Sequence, residues 1–213
     1  MGMLAGACGG SSRGDDGALQ IPGSCVLTPR QVEGPYFFPS RLARRDIREG
    51  RPGTPLTVRV QVVDVDRGCS PIEDAMVEAW HCDADGIYSG FDIEEGNLAD
   101  AGGETFLRGY QQTDRTGLVE FQTIYPGWYP IRTVHIHLMV LIDGSEQVTT
   151  QVYFDQAVTD RVFATPPYSE RGPQRTRNET DPFGGSLAEL SFALQPSGAG
   201  WEASFLLGIS RAG

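Results

Sequence analysis

Several short segments of this chain alternate strictly between apolar and polar residues, and a period of two leaves few folds open. Leu56, Val58, Val60 and Val62 fall on one face, with Thr57, Arg59 and Gln61 on the other, as in a half-buried β-strand. Residues 75–81 repeat the pattern, with Ala75, Val77, Ala79 and His81 opposite Met76, Glu78 and Trp80. After the turn Asp114-Arg115-Thr116-Gly117, Val119 and Phe121 share a face. Residues 133–142 and 148–154 read as two further strands joined at Asp143-Gly144-Ser145. Near the C-terminus Leu190, Phe192 and Leu194 alternate, then Phe205, Leu207 and Ile209. Seven or so short strands, without a βαβ rhythm, an internal repeat or a second core, predict an all-β chain. The expected architecture is an antiparallel β-sandwich with long loops and little helix.

Composition agrees. The 213 residues include 27 glycines and 14 prolines, and that much punctuation favours strands and turns over long helices. The net charge of −11 repels polyanions, which argues against nucleic acid and anionic membranes as partners. No apolar run approaches the roughly 20 residues of a membrane span. Residues 1–24 read as a flexible tail and 25–213 as one sandwich domain. The stretches 83–109 and 155–186, rich in Gly, Pro, Asp and Arg, are the natural walls of a site.

Four cysteines occur, at Cys8, Cys25, Cys69 and Cys82. Cys8 follows small residues and precedes a glycine-rich stretch: either the end of a lipoprotein-type export signal or an incidental cysteine in a tail. Cys69 and Cys82 flank a predicted strand. In an oxidising compartment they would close a loop worth about 3 kcal/mol; in a reducing one they are two buried thiols. Export, with a lipid anchor through Cys8 or free secretion, is the expectation.

Two of the three histidines stand at His135 and His137, within TVHIHLMV. Strand residues two apart point the same way, so both imidazoles project together while Val134, Ile136 and Leu138 fill the opposite face. A pair of imidazoles on a rigid strand is half a metal site; its bland counterpart is an ordinary polar face. Upstream, YPGWYPIR presents Trp128 and Tyr129, and places Arg132 three residues before His135. An arginine there either stabilises negative charge on a substrate or forms a rim salt bridge. Tyr88, in the loop DADGIYSGF, is a ligand candidate or a hydrogen-bonding core tyrosine.

The segments EGPYFFP (33–39), EAWHCDADGIYSGF (78–91), FLRGYQQTDRTGLVEFQTIYPGWYPIRTVHIH (106–137) and TTQVYF (149–154) resemble, in order, those of the intradiol ring-cleavage dioxygenases, and of their small secreted branch in particular. RNETDPF (177–183) is a weaker echo. The resemblance implies a mononuclear non-haem Fe(III) held by Tyr88, Tyr129, His135 and His137. Phenolate oxygens are hard anionic donors that suit the ferric state. It implies a catecholic substrate and O2, with the ring opened between its two hydroxylated carbons to a cis,cis-muconate. Tyr129 would yield its place and take a substrate proton, Arg132 would stabilise charge on the ring, and Gln151 would orient it. It also implies a Cys69–Cys82 disulfide, which leaves Cys25 without a partner, and a monomer or loose oligomer.

Two departures from the pattern matter. Ile131 stands where glycine is usual, so it is expected to narrow the pocket or shift Arg132, and Phe37 replaces a common tyrosine. Asn178-Glu179-Thr180 fits a glycosylation sequon but receives no role. The competing readings are a non-catalytic sandwich that binds a ligand through the aromatic loop at Trp128, and a zinc or copper sandwich using His135 and His137, which leaves both tyrosines idle.

Overall fold

The computed structural model describes residues 25–174, 176–184 and 187–211. The tail 1–24, Cys8 included, lies outside the described residues. Two sheets carry the fold. The first centres on β1 (Pro55–Asp64), which pairs antiparallel with β2 (Ser70–Pro71) and β5 (Leu118–Ile124), and parallel with β9 (Gly200–Ile209); β9 in turn pairs with β8 (Ala193–Ser197). The second runs β4 (Arg108–Gln112), β3 (Met76–Trp80), β6 (His135–Ile142), β7 (Ser145–Tyr153), all antiparallel. The expected antiparallel sandwich thus holds except at the β1–β9 ladder, which joins the first and last strands and needs no tight turn.

The alternation does what the period predicts. Val58, Val60 and Val62 of β1, Val119 and Phe121 of β5, and Ala203, Phe205 and Leu207 of β9 point inward. They meet Val77 and Ala79 of β3, Ile136, Leu138 and Val140 of β6, and Val148 and Val152 of β7 in one core. The opposite face of the second sheet is buried too. Trp80 and Met139 there pack with Cys82 and Tyr88, against Tyr36, Phe37, Phe91 and Tyr129 from the loops above. An antiparallel sheet commonly leaves its second face to water; here loops 81–107 and 31–40 roof it.

Three elements differ from expectation. β4 carries no apolar alternation, and its Gly109 admits Ile47, whose Cγ2 would lie 2.8 Å from an added Cβ. The stretch 155–186 holds a short helix, α1 (Gln156–Phe163), started by Asp155 accepting from the Val158 amide at 3.0 Å. Leu190 and Phe192 are core residues, but they precede β8 instead of forming it. Among the described residues no helix is long and apolar enough to cross a membrane.

The expected Cys69–Cys82 bond is not formed: Cys69 is bonded to Cys25, and Cys82 is a buried free thiol. The register explains the exchange. Asp64, at the end of β1, pairs with Ile209 of β9, and the Cys69 amide donates to the Asp64 carbonyl at 2.9 Å. Thr28 donates to the Gly208 carbonyl at 2.8 Å, which brings Cys25 to the same sheet end. Cys82 instead follows β3, where its thiol meets the Gly127 carbonyl at 3.5 Å. The disulfide spans 44 residues, and Cys25→Ser is expected to lower the unfolding free energy in urea by about 4 kcal/mol. Cys82→Ser leaves the bond in place; non-reducing peptide mapping that recovered a Cys69–Cys82 link would contradict the assignment.

Candidate metal centre on the roofed sheet

His135 and His137 project from β6 onto the roofed face, fully buried. The His135 Nδ1–H donates to the Thr133 carbonyl at 2.7 Å, which turns the Nε2 lone pair inward. The Nε2 atoms of the two rings lie 3.1 Å apart. Two nitrogens bound at right angles to one ion at about 2.1 Å stand about 3 Å apart, so the spacing suits a shared cation. Trp80, at the end of β3, stacks on His137 at 4.8 Å and 9° and fixes its plane.

The two tyrosines arrive from different loops. Tyr88 is held by its own backbone: its amide donates to Asn97 Oδ1 at 3.1 Å, and its carbonyl accepts from Asn97 Nδ2 at 2.7 Å. Its hydroxyl is buried without a hydrogen-bond partner among the described residues. Tyr129 follows the Pro126-Gly127 break, and its hydroxyl lies 3.3 Å from His135 Nε2. The rings of Tyr88 and Tyr129 meet edge-on at 5.5 Å. Two glycines permit this. A Cβ on Gly127 would lie 2.4 Å from the Ala84 carbonyl oxygen, and one on Gly86 would lie 2.2 Å from that of Trp128. Tyr36 stacks on Tyr88 at 4.6 Å and closes the aromatic wall.

Electrostatics fit a cation. Burial pushes Tyr88 well above the ordinary phenol range, with Tyr129 adding to the rise, and burial likewise raises Tyr129. Only strong local positive charge makes such phenols anionic. Burial also holds both imidazoles well below their ordinary value, so they are neutral and ready to donate lone pairs. Among the described residues no three His, Cys, Asp or Glu side chains gather; the polar side chains nearest the histidine pair include the two phenols.

Arg132 and Gln151 stand beside this group. The Arg132 guanidinium is buried, its Nε donating to Asp181 Oδ2 at 3.1 Å and its Nη2 to Gln151 Oε1. Gln151 is opposite His137 in the β6–β7 ladder and donates from Nε2 to the Val32 carbonyl at 2.7 Å. Of the two readings of Arg132, the salt bridge exists, but it is buried and not at a rim, and its acid comes from the segment 177–183; charge stabilisation belongs to the proposed function. Asp181 also accepts from the Thr133 amide at 2.6 Å, and Asn178 spends its amide on Thr133 and Phe154. Asp181, Trp80, Tyr153 and Arg108 are site neighbours that motif reading assigned no role. The echo in RNETDPF was the one signal that pointed toward Asp181.

Ile131 does not narrow the site. Pro130 and Ile131 occupy the centre of a turn closed by the Arg132 amide on the Tyr129 carbonyl at 3.3 Å. Ile131 has φ +65°, where glycine is favoured and a β-branched side chain is strained. Its side chain is 70% exposed, and Arg132 remains anchored by Asp181.

A profile of the family described as Dioxygenase matches residues 32–178. A solved intradiol ring-cleavage dioxygenase from Tetranychus urticae superposes with a TM-score of 0.81 at 32% identity, covering 89% of this chain and 96% of that one. The chain belongs to the intradiol ring-cleavage dioxygenases. A second member, the dioxygenase domain of a carbohydrate-binding fusion protein from Streptomyces sp. SirexAA-E, superposes with a TM-score of 0.65 at 30% identity, covering 88% and 100%. Among curated relatives, catechol 1,2-dioxygenase 1 of Acinetobacter lwoffii is 27% identical over 68% of this chain and 54% of its own length. The 6-chlorohydroxyquinol 1,2-dioxygenase of Cupriavidus pinatubonensis is 32% identical over 60% and 49%. This dioxygenase thus spans about half the length of the curated relatives it matches.

Three buried histidines are expected to make the folded chain less stable in acid. His81, satisfied by the Cys82 carbonyl and Thr123 Oγ1, both at 2.7 Å, is pushed down to about 4 by burial, and His135 and His137 fall well below 6.5. Below pH 6.5 the unfolded chain takes up protons that the folded chain refuses, so stability falls as pH drops from 6.5 toward 4. Each histidine contributes up to about 1.4 kcal/mol per pH unit in that window. Urea titrations of the metal-free protein at pH 7.5 and 5.5 test this; equal midpoints would contradict it.

Proposed function

We propose that the protein is a non-haem ferric intradiol dioxygenase that opens catechol-type rings between their hydroxylated carbons with O2, giving cis,cis-muconate-type acids. The observation that carries this is the convergence of four donors: two facing imidazole nitrogens 3.1 Å apart, the Tyr129 hydroxyl 3.3 Å from one of them, and the unpartnered buried hydroxyl of Tyr88. Iron(III) held by Tyr88, Tyr129, His135 and His137 would act as a Lewis acid that draws electron density from a bound catecholate and readies the ring for O2.

The protein's own residues divide the remaining work. Tyr88, locked between Asn97 and Tyr36, is the stationary donor. Tyr129 is the less buried phenol and sits on a strained turn; as the phenolate that a bound ferric ion would favour, its Oη would take a hydroxyl proton from the incoming catechol. Arg132 cannot swing, because Asp181 and Gln151 hold it from two sides. Its charge is therefore preorganised to stabilise negative charge as it develops on the ring. Gln151 fixes Arg132 and belongs to the same buried group. The aromatic roof of Tyr36, Phe37 and Phe91 over Trp80 would exclude water from the reacting ring.

The relatives act on catechol, chlorocatechol and hydroxyquinol by name, and a neutral catechol is the substrate class proposed here. The Cys25–Cys69 bond supports an oxidising, extracytoplasmic setting. Oxygen uptake on adding catechol to iron-loaded protein, with equimolar muconate found by chromatography, tests the reading. Tyr88→Phe and His137→Ala are expected to lower turnover at least 100-fold, on the scale of a lost metal ligand or charge stabiliser. Full turnover in both variants would sink the site assignment.

A further inference from the structure

The roles above leave one buried charge without a task. Arg108 on β4 is 1% exposed. Its Nε and Nη2 donate to the Ser89 carbonyl at 3.2 and 2.8 Å, its Nε also to Ser89 Oγ at 2.9 Å, and its Nη1 has no partner among the described residues. The guanidinium carbon lies 4.4 Å from the Phe38 ring centroid, 5.5 Å from that of Phe91 and 5.8 Å from that of Tyr88. Among the described residues no carboxylate makes a salt bridge with it. Glu78, the buried acid in electrostatic reach, instead accepts from the Ser40 amide and hydroxyl, both at 2.9 Å.

An unpaired cation sealed among aromatic rings is costly to bury. A neutral donor would hold the Ser89 carbonyl at less expense, so anchoring alone does not account for an arginine. The cost is offset where a negative charge forms nearby, and Tyr88, one residue before Ser89, has a buried hydroxyl without a hydrogen-bond partner among the described residues. The contrast with Arg132 is informative: that charge is already matched by Asp181, whereas the charge of Arg108 is not.

We propose that Arg108 is the positioning residue of Tyr88. Its two-point hold on the Ser89 carbonyl fixes the loop that carries the phenol, and its unmatched charge, 5.8 Å from the ring centroid, balances the phenolate. This rests on the ferric reading of the site. The electronic consequence has a definite sign. A cation beside a phenolate stabilises its donor electrons, so the tyrosinate-to-iron(III) charge-transfer band lies at higher energy than it would without Arg108.

Two variants separate charge from anchoring. Arg108→Gln keeps an N–H for the Ser89 carbonyl and removes the charge; Arg108→Lys keeps the charge and loses the planar fork. In iron-loaded protein, Arg108→Gln is expected to move the visible band to longer wavelength. Arg108→Lys is expected to leave the band near its wild-type position while a chelator removes iron roughly 10-fold faster, the scale of a lost outer-shell partner. A folded Arg108→Gln protein with the wild-type band overturns the proposal. Should that variant not fold, an unchanged chelator rate in Arg108→Lys overturns it instead. Absence of any band in the wild-type protein would overturn the ferric reading itself, so the two failures are distinguishable.

Discussion

The site depends on one close approach between two loops. The loop after β3 and the loop before β6 meet where the Gly127 amide donates to the Asp83 carbonyl at 2.9 Å, with no room for a side chain on Gly127 or Gly86. That contact sets Tyr88 and Tyr129 edge to edge above the β6 imidazoles. Each loop alone would place one phenol near a histidine strand; together they bring both phenols beside the histidine pair. The surroundings reinforce the approach: Arg51 lies 3.5 Å from the Asp83 carboxylate and 3.6 Å from the Phe106 ring centroid, and Arg171 spans Trp128 by donating to its carbonyl and lying 4.2 Å from its ring centroid.

A second theme is how buried charge is handled. Arg132 and Asp181 form a buried pair whose carboxylate also caps the Thr133 and Phe183 amides. Every strong acceptor site on Asp181 is thus used, which is the condition under which burying an ion pair is tolerable. The same contacts clamp the segment 177–183 over the start of β6. Strain gathers there as well, in Ile131 at φ +65°. Strained backbone beside a site persists only where neighbours hold it, and here Pro130 and the anchored Arg132 do so. The side chain of Ile131 points to solvent and not into the buried group.

Much of this was legible in the sequence because it is periodic. Alternation and turn signals together located β1, β3, β5, β6, β7 and β9, and the two-residue spacing put His135 and His137 on one face. The motif resemblance supplied Tyr88, Tyr129, Arg132 and Gln151, and the structure brings all six side chains together. What stayed hidden depends on contacts between distant segments. The disulfide follows from the parallel β1–β9 register, which no local spacing encodes, and so Cys82 looked like a partner when it is a packed thiol. Arg108 sits on a strand without alternation, and Asp181 lies 49 residues from the arginine it holds. A loop residue's partner is set by how the loops fold back, and period-two reading is blind to that.

The central claim is that two phenols and two imidazoles share one ferric ion that a catechol can reach. The most direct measurement is the visible spectrum of the purified, iron-quantified protein, recorded without oxygen before and after catechol is added. The account predicts one iron per chain and a broad tyrosinate charge-transfer absorption that shifts to longer wavelength as catecholate binds. A protein that stays colourless after ferric reconstitution, or an absorption that catechol leaves unchanged, would contradict it.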